Sequence, residues 1–144
     1  MTRVFDLSRS IDLHKISVAD TREEAIAGIT DGLIRENETV TWRARHLFKT
    51  REFTSHIVSM KVPFFFCDEM VKGDFKTFRH EHHFKEVENG TVMIDILEFE
   101  SPYGIIGRAA NLFFFKRYIE KFLRNRNDVI REYAETGKWK EVLN

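Results

Sequence analysis

Cysteine, proline and glycine are scarce in this chain, with one, two and seven copies among 144 residues. A lone cysteine, Cys67, excludes an intrachain disulfide. It sits in the apolar word FFFCDEM, where a buried thiol behaves as a small hydrophobe. So few breakers leave no Gly/Ser/Pro linker, and with no repeat or low-complexity tract one domain over residues 1–144 is expected. Excess charge is also missing: Lys plus Arg and Asp plus Glu both number 23. No overall charge therefore advertises a nucleic-acid or membrane partner. No apolar run approaches the roughly 18 residues that a membrane span needs, so no stable insertion is expected. No signal-peptide pattern opens the chain, which makes a cytoplasmic location the expectation. There is no Gly-rich phosphate loop, no nucleophile elbow and no CxxC, and no cofactor is expected.

What the chain has in quantity is phenylalanine, fourteen of them. That much aromatic surface needs a large core or a cavity to line.

The pattern along the chain predicts an α+β order. Val4, Leu7, Ile11 and Ile16 have a rough helical spacing, and Ser10 can cap a second short helix with Asp12 in its first turn. From Ala25 the period changes to two. EAIAGIT reads as a weak strand, and in TVTWRARHLF the residues Val40, Trp42 and Ala44 share one face, opposite Arg43 and Arg45. REFTSHIVSMKV runs to Pro63, and FFFCDEMV closes at Lys72-Gly73-Asp74. FKTFRHEHHFKEVE and TVMIDILEFES flank Asn89-Gly90, a strong hairpin signal, and Pro102 ends the last strand. The period then returns to 3.6, with Leu112, Phe115, Ile119, Phe122, Ile130 and Tyr133 on one apolar stripe and Gly137 beyond it. About six antiparallel strands thus lie between two short helices and one long helix that can cover the dry face of the sheet.

In FRHEHHF, strand alternation puts Phe78, His80, His82 and Phe84 on one face, the better candidate for the interior. Asp95 alternates with Met93, Leu97 and Phe99, and Asp68 is flanked at i±2 by Phe66 and Met70, so both carboxylates are expected to face inward. A buried carboxylate must pair or take up a proton. The two imidazoles can bond within the interior, for instance to Asp95, or recognise a ligand, or do acid–base work. A metal reading would take Asp95 as third ligand, but no carboxylate or cysteine recurs at a diagnostic spacing, and none is expected. On the long helix, Lys116, Arg117, Lys121, Arg124, Arg126 and Arg131 are interspersed with acids. They read as a solvated helix back rather than a basic binding stripe.

This order, with the words VFDLSRSIDLHKIS, VTWRARH, DEMVKGDFKTFRHEHHF, GTVMIDILEFESPYGIIG and RNDVIREYAE, resembles the SRPBCC or START-like helix-grip superfamily. Its polyketide cyclase/dehydrase-like, small bacterial ligand-binding branch is the nearest in kind. The resemblance covers almost the whole chain. It implies a curved sheet gripping the long helix around an apolar cavity that holds a lipid, isoprenoid, polyketide or other hydrophobic small molecule, with no single reaction implied. Trp42, Asp68, Phe78, His80, His82, Asp95 and Phe115 are the candidate cavity residues. Two alternatives stand beside a carrier. One is a cyclase- or dehydratase-like enzyme with His80 or His82 as base and Asp95 orienting it; the other is an interaction module with a filled core. The family's usual first strand has no counterpart ahead of MTRVFDL. Two outcomes are expected from that: a longer natural chain, or a homodimer that covers sheet edges left open at Thr91–Glu100 and EAIAGIT.

Overall fold

The computed structural model describes residues 1–19, 22–46, 49–100 and 105–143. Pro102, expected to stop the last strand, lies outside them, as do the side chains of Arg45 and Leu112. The chain opens with α1 (Thr2–Ser8) and α2 (Ile11–Ser17). Six strands follow: β1 (Glu24–Gly28), β2 (Thr39–His46), β3 (Lys49–Lys61), β4 (Phe65–Lys72), β5 (Thr77–Val87) and β6 (Gly90–Glu100). The long helix α3 (Ile105–Glu135) and a short 3-10 turn (Gly137–Glu141) complete it. The strands form one antiparallel sheet in sequence order, β1 to β6, so every neighbour in space is a neighbour in the chain.

Local chemistry explains the boundaries. Ser10 caps α2: its hydroxyl, itself buried, accepts from the Leu13 amide at 3.2 Å. Asp12, one residue into the helix, accepts from the Gly32 amide at 2.8 Å, and Ile11 donates to the Gly32 carbonyl at 2.9 Å. These bonds tie the helix junction to the β1–β2 connection. The β5–β6 hairpin differs in register from the expectation. Val87 pairs with Gly90, so Glu88 and Asn89 form the turn and Gly90 opens the strand. Neither Glu88 nor Asn89 takes positive φ, so the Asn-Gly pair is not the turn's centre.

The core lies in two packed groups. Phe5, at 0% exposure, meets Phe66 and Phe84 edge-on at 5.7 and 5.2 Å, with Ile11, Val40 and Ile57 around them. Leu7 and Leu13 pack against Ile130 and Tyr133 of α3. The two short helices are thus a plug between one end of the sheet and the last turns of α3. Leu13 carries the buried face of α2 that Ile16, which is exposed, was expected to share.

The edges are unequal. β1 is short and bulged between Ala25 and Ala27, which blunts pairing with another chain. β6 is eleven residues long with a continuous alternation, and its outward side chains Val92, Ile94 and Ile96 are exposed.

Gly28 has φ +74° at the end of β1, and a Cβ there would sit 2.1 Å from the Thr39 carbonyl oxygen. Gly32 has φ +70° with nothing within 4 Å of such a Cβ. Gly32→Ala should cost about 1 kcal/mol through backbone strain alone, and Gly28→Ala clearly more, because β1 must also move away from β2. Urea denaturation of the two variants beside the parent measures the difference.

Candidate functional site

Strand register assembles a polar cluster in the middle of the concave face. Asp68 of β4 pairs with His80 of β5, and His82 pairs with Asp95 of β6. Alternation turns all four side chains toward the helix. The result is a sandwich in which each imidazole bridges two carboxylates. His80 Nε2 lies 3.1 Å from Asp95 Oδ1, and its Nδ1 lies 4.0 Å from Asp68 Oδ1. His82 Nε2 lies 3.2 Å from the same Asp68 oxygen, and its Nδ1 lies 2.9 Å from Asp95 Oδ1. That last contact is close but not aligned for a hydrogen bond, so His82 Nδ1 has no bonded partner. The rings are 3.9 Å apart, and Phe66 stacks on His82 at 4.0 Å. His82 is 2% exposed and His80 8%.

The helix closes the cluster with residues that the sequence pattern did not single out for it. Asn127 Nδ2 donates to Asp95 Oδ2 at 2.6 Å. Arg126 donates from Nη2 to the Ser8 carbonyl at 2.7 Å, and its Nη1, 3.8 Å from Asp95, makes no hydrogen bond. Arg126 is therefore buried and is not part of the solvated helix back, a correction to the expectation. The signal was present: Arg126 stands four residues after Phe122 and four before Ile130, inside the apolar stripe. Lys116, Arg117, Lys121, Arg124 and Arg131 are exposed. Ser55 donates to Asp68 Oδ2 at 3.0 Å and fixes the second carboxylate.

Burial alone would raise both carboxylates. At Asp95 the imidazoles of His80 and His82 and the Arg126 charge outweigh it and hold the group far below the usual carboxylate range. Asp68 is also lowered, against burial, by its bond from His82 and the nearness of His80. His80 is lowered, first by burial and then by His82. Burial lowers Arg126, opposed by Asp95 and Asp68. Next to Asp68, Cys67 faces the other side of the sheet at 0% exposure, and burial pushes its thiol up to about 11.

The other candidate residues lie apart from this cluster. Trp42 is buried on β2, paired with Phe53 and against the His14 ring at 4.2 Å; His14 in turn contacts Glu23 at 3.1 Å. Phe78 meets Phe53 at 5.1 Å and Phe75 at 5.4 Å. Phe115 of α3 meets Phe75 and Phe99, each at 5.0 Å. These five phenylalanines form a band at the end of the sheet opposite the α1 plug, and each is only half-buried. A groove of about 500 Å³ lined by Leu97, Phe99 and Lys116, among others, opens beside the band. Another, of about 370 Å³, is lined by charged residues of the β3 and β4 ends, and neither groove is lined by the His/Asp cluster.

No family model matches this sequence, and no curated protein matches it. Solved structures do. TTHA0849 from Thermus thermophilus superposes with a TM-score of 0.72 at 15% identity, over 92% of this chain and 88% of that one. Ara h 8.0201 superposes at 0.66 and 9% identity, over 91% and 89%. The chain has a helix-grip fold. A Polyketide_cyc-like protein, Cgl2372 from Corynebacterium glutamicum, is also similar, over 90% of this chain and 81% of that one, at 16% identity and a TM-score of 0.37.

Removing a buried charge partner should be costly here. Arg126→Met should destabilise the protein by about 3 kcal/mol or more, since Asp95 then keeps its charge without the guanidinium. Combining it with Asp95→Asn should cost less than the sum of the two single changes, a coupling that a denaturation cycle reads directly. Cys67 should resist iodoacetamide at pH 8 in the folded protein and react after denaturation, because it is covered and stays protonated. Mass spectrometry of the labelled protein tests this.

Proposed function

We propose that this helix-grip domain binds a hydrophobic small molecule, of lipid, isoprenoid or polyketide-like character, between the sheet and α3. The observation that carries this reading is the contrast between the two ends of the concave face. At the plugged end Phe5, Phe66 and Phe84 are at most 5% exposed. At the other end Phe53, Phe75, Phe78, Phe99 and Phe115 face inward yet stay half-buried. Apolar side chains left uncovered inside a fold are what an apolar ligand would cover, and closing that contrast would add hydrophobic free energy to binding. Trp42 stands at the far end of the same band through its pairing with Phe53. Asp68, His80, His82 and Asp95 would supply the polar limit of the site, next to the apolar wall. The kinds of protein that share the fold support a ligand-binding role and leave the ligand's identity to experiment.

An environment-sensitive apolar dye should bind, and fatty acids, isoprenoids or aromatic polyketides should displace it. Phe115→Glu should weaken the dye by about tenfold or more while circular dichroism stays native, since Phe115 is half-buried and its loss opens no packed core. Absence of dye binding to the folded parent protein would end this reading.

We further propose that two copies join along β6. Val92, Ile94 and Ile96 form an exposed apolar stripe on an edge strand, and an edge of this kind recruits another strand. The stripe is self-complementary. An antiparallel register centred on Ile94 sets each Ile96 against Val92 of the second copy, with Glu98 opposite Gly90 and Asp95 opposite Met93. A register centred on Asp95 would instead set two buried carboxylates opposite each other. Light scattering after size-exclusion chromatography should report a dimer, converted to a monomer by Ile94→Lys. A parent protein that stays monomeric at high concentration refutes the pairing.

A further inference from the structure

The His/Asp sandwich has one hydrogen bond per ring, between His80 Nε2 and Asp95 Oδ1 and between His82 Nε2 and Asp68 Oδ1, and leaves His82 Nδ1 without a bonded partner. Four ring nitrogens each face a carboxylate: His80 Nε2 and His82 Nδ1 on the Asp95 side, His80 Nδ1 and His82 Nε2 on the Asp68 side. An ionised carboxylate only accepts, so each of the two bonded contacts holds a hydrogen or, in its place, a cation. A neutral imidazole has one N–H. In the alternative tautomer of His82, with its hydrogen on Nδ1 and that of His80 on Nε2, both hydrogens lie on the Asp95 side, where Asn127 also donates. Two lone pairs, on His80 Nδ1 and His82 Nε2, then point at Asp68 Oδ1. Three electron-pair donors converge, and nothing from the chain separates them.

We propose that Asp68, His80 and His82 form a binding site for one divalent transition-metal ion such as zinc. One ligating atom from each of the three lies within 4.8 Å of the others. Metal–ligand bonds of about 2.0–2.2 Å at tetrahedral angles put ligand atoms about 3.4 Å apart. The contacts from Asp68 Oδ1 to His82 Nε2 and His80 Nδ1, 3.2 and 4.0 Å, bracket that spacing. Two imidazoles in three ligands favour zinc, iron or cobalt over calcium or magnesium, which take oxygen.

Asp95 has a different part from the third ligand that the spacing in the chain suggested for it. It lies behind both rings, bonded to His80 Nε2 and 2.9 Å from His82 Nδ1, as in the carboxylate–histidine–metal arrangement that fixes ring orientation. Asn127 holds its second oxygen, and Arg126 Nη1 stands 3.8 Å from the first. Ser55 does for Asp68 what Asn127 does for Asp95. Charge points the same way. With both imidazoles neutral, two buried carboxylates face one guanidinium, and a cation removes the excess.

Chelator-treated protein titrated calorimetrically with zinc chloride should take up one equivalent and unfold at a higher temperature afterwards. Cobalt chloride should give visible ligand-field absorption on the same protein. Asp68→Asn and His82→Gln, both near-isosteric, should weaken uptake by more than about 100-fold, and Asp95→Asn by about 10–100-fold, as a residue acting through the rings. Circular dichroism establishes which variants are folded. Folded parent protein that shows neither zinc uptake nor a cobalt spectrum overturns the proposal. So does uptake of parental strength in folded Asp68→Asn and His82→Gln, which would place the ion elsewhere.

Discussion

The Asp95 carboxylate is the contact on which the interior depends. It is nearly sealed from water, yet it touches side chains of the neighbouring strand and of α3 at once. A charge in that position is tolerable only while those partners hold their places. His80 and His82 fix it from β5, while Asn127 and Arg126 fix it from the helix. Arg126 then passes the constraint to α1 through the Ser8 carbonyl. One carboxylate thus sets the height at which the helix crosses the sheet and the seat of the N-terminal plug.

Around this centre the concave face divides in two. On the plugged side, aromatic rings interlock edge-on and leave little exposed surface, the packing expected of a core. On the other side the rings touch one another in a band but stay partly exposed. The polar cluster marks the border. Its ionic and hydrogen-bonded geometry demands fixed distances, which the interlocked rings of the plugged end can maintain. A rigid polar floor beside an adaptable apolar wall is an arrangement suited to ligand recognition.

The outer face follows simpler rules. Arg79 bridges Glu69 and Glu81, Arg43 meets Glu52, and Thr41 meets Thr54 across adjacent strands. These pairs, exposed or only partly buried, add little stability each and chiefly set register and solubility. The pattern stops at β6, where valine and isoleucine replace the charges. No helix among the described residues is long and apolar enough to cross a membrane.

Periodicity by itself determined the element order and which face of each strand is dry. Alternation needs only neighbours in the chain, and so His80, His82, Asp68 and Asp95 were legible as inward-facing before any coordinates. The Ser10 cap was legible for the same reason, since the bond spans three residues. Tertiary structure decided the rest. That the two histidines stand between two carboxylates follows from the pairing of β4, β5 and β6, and register between strands is set by turns and packing that no single segment encodes. The hairpin shows the limit: Asn89-Gly90 announced a turn, yet the pairing of the long strands placed it one residue earlier. Arg126 shows it again. A charged residue on a helix is solvated unless a buried anion waits opposite, and Asp95, thirty-one residues earlier in the chain, becomes that anion only once the helix lies across the sheet.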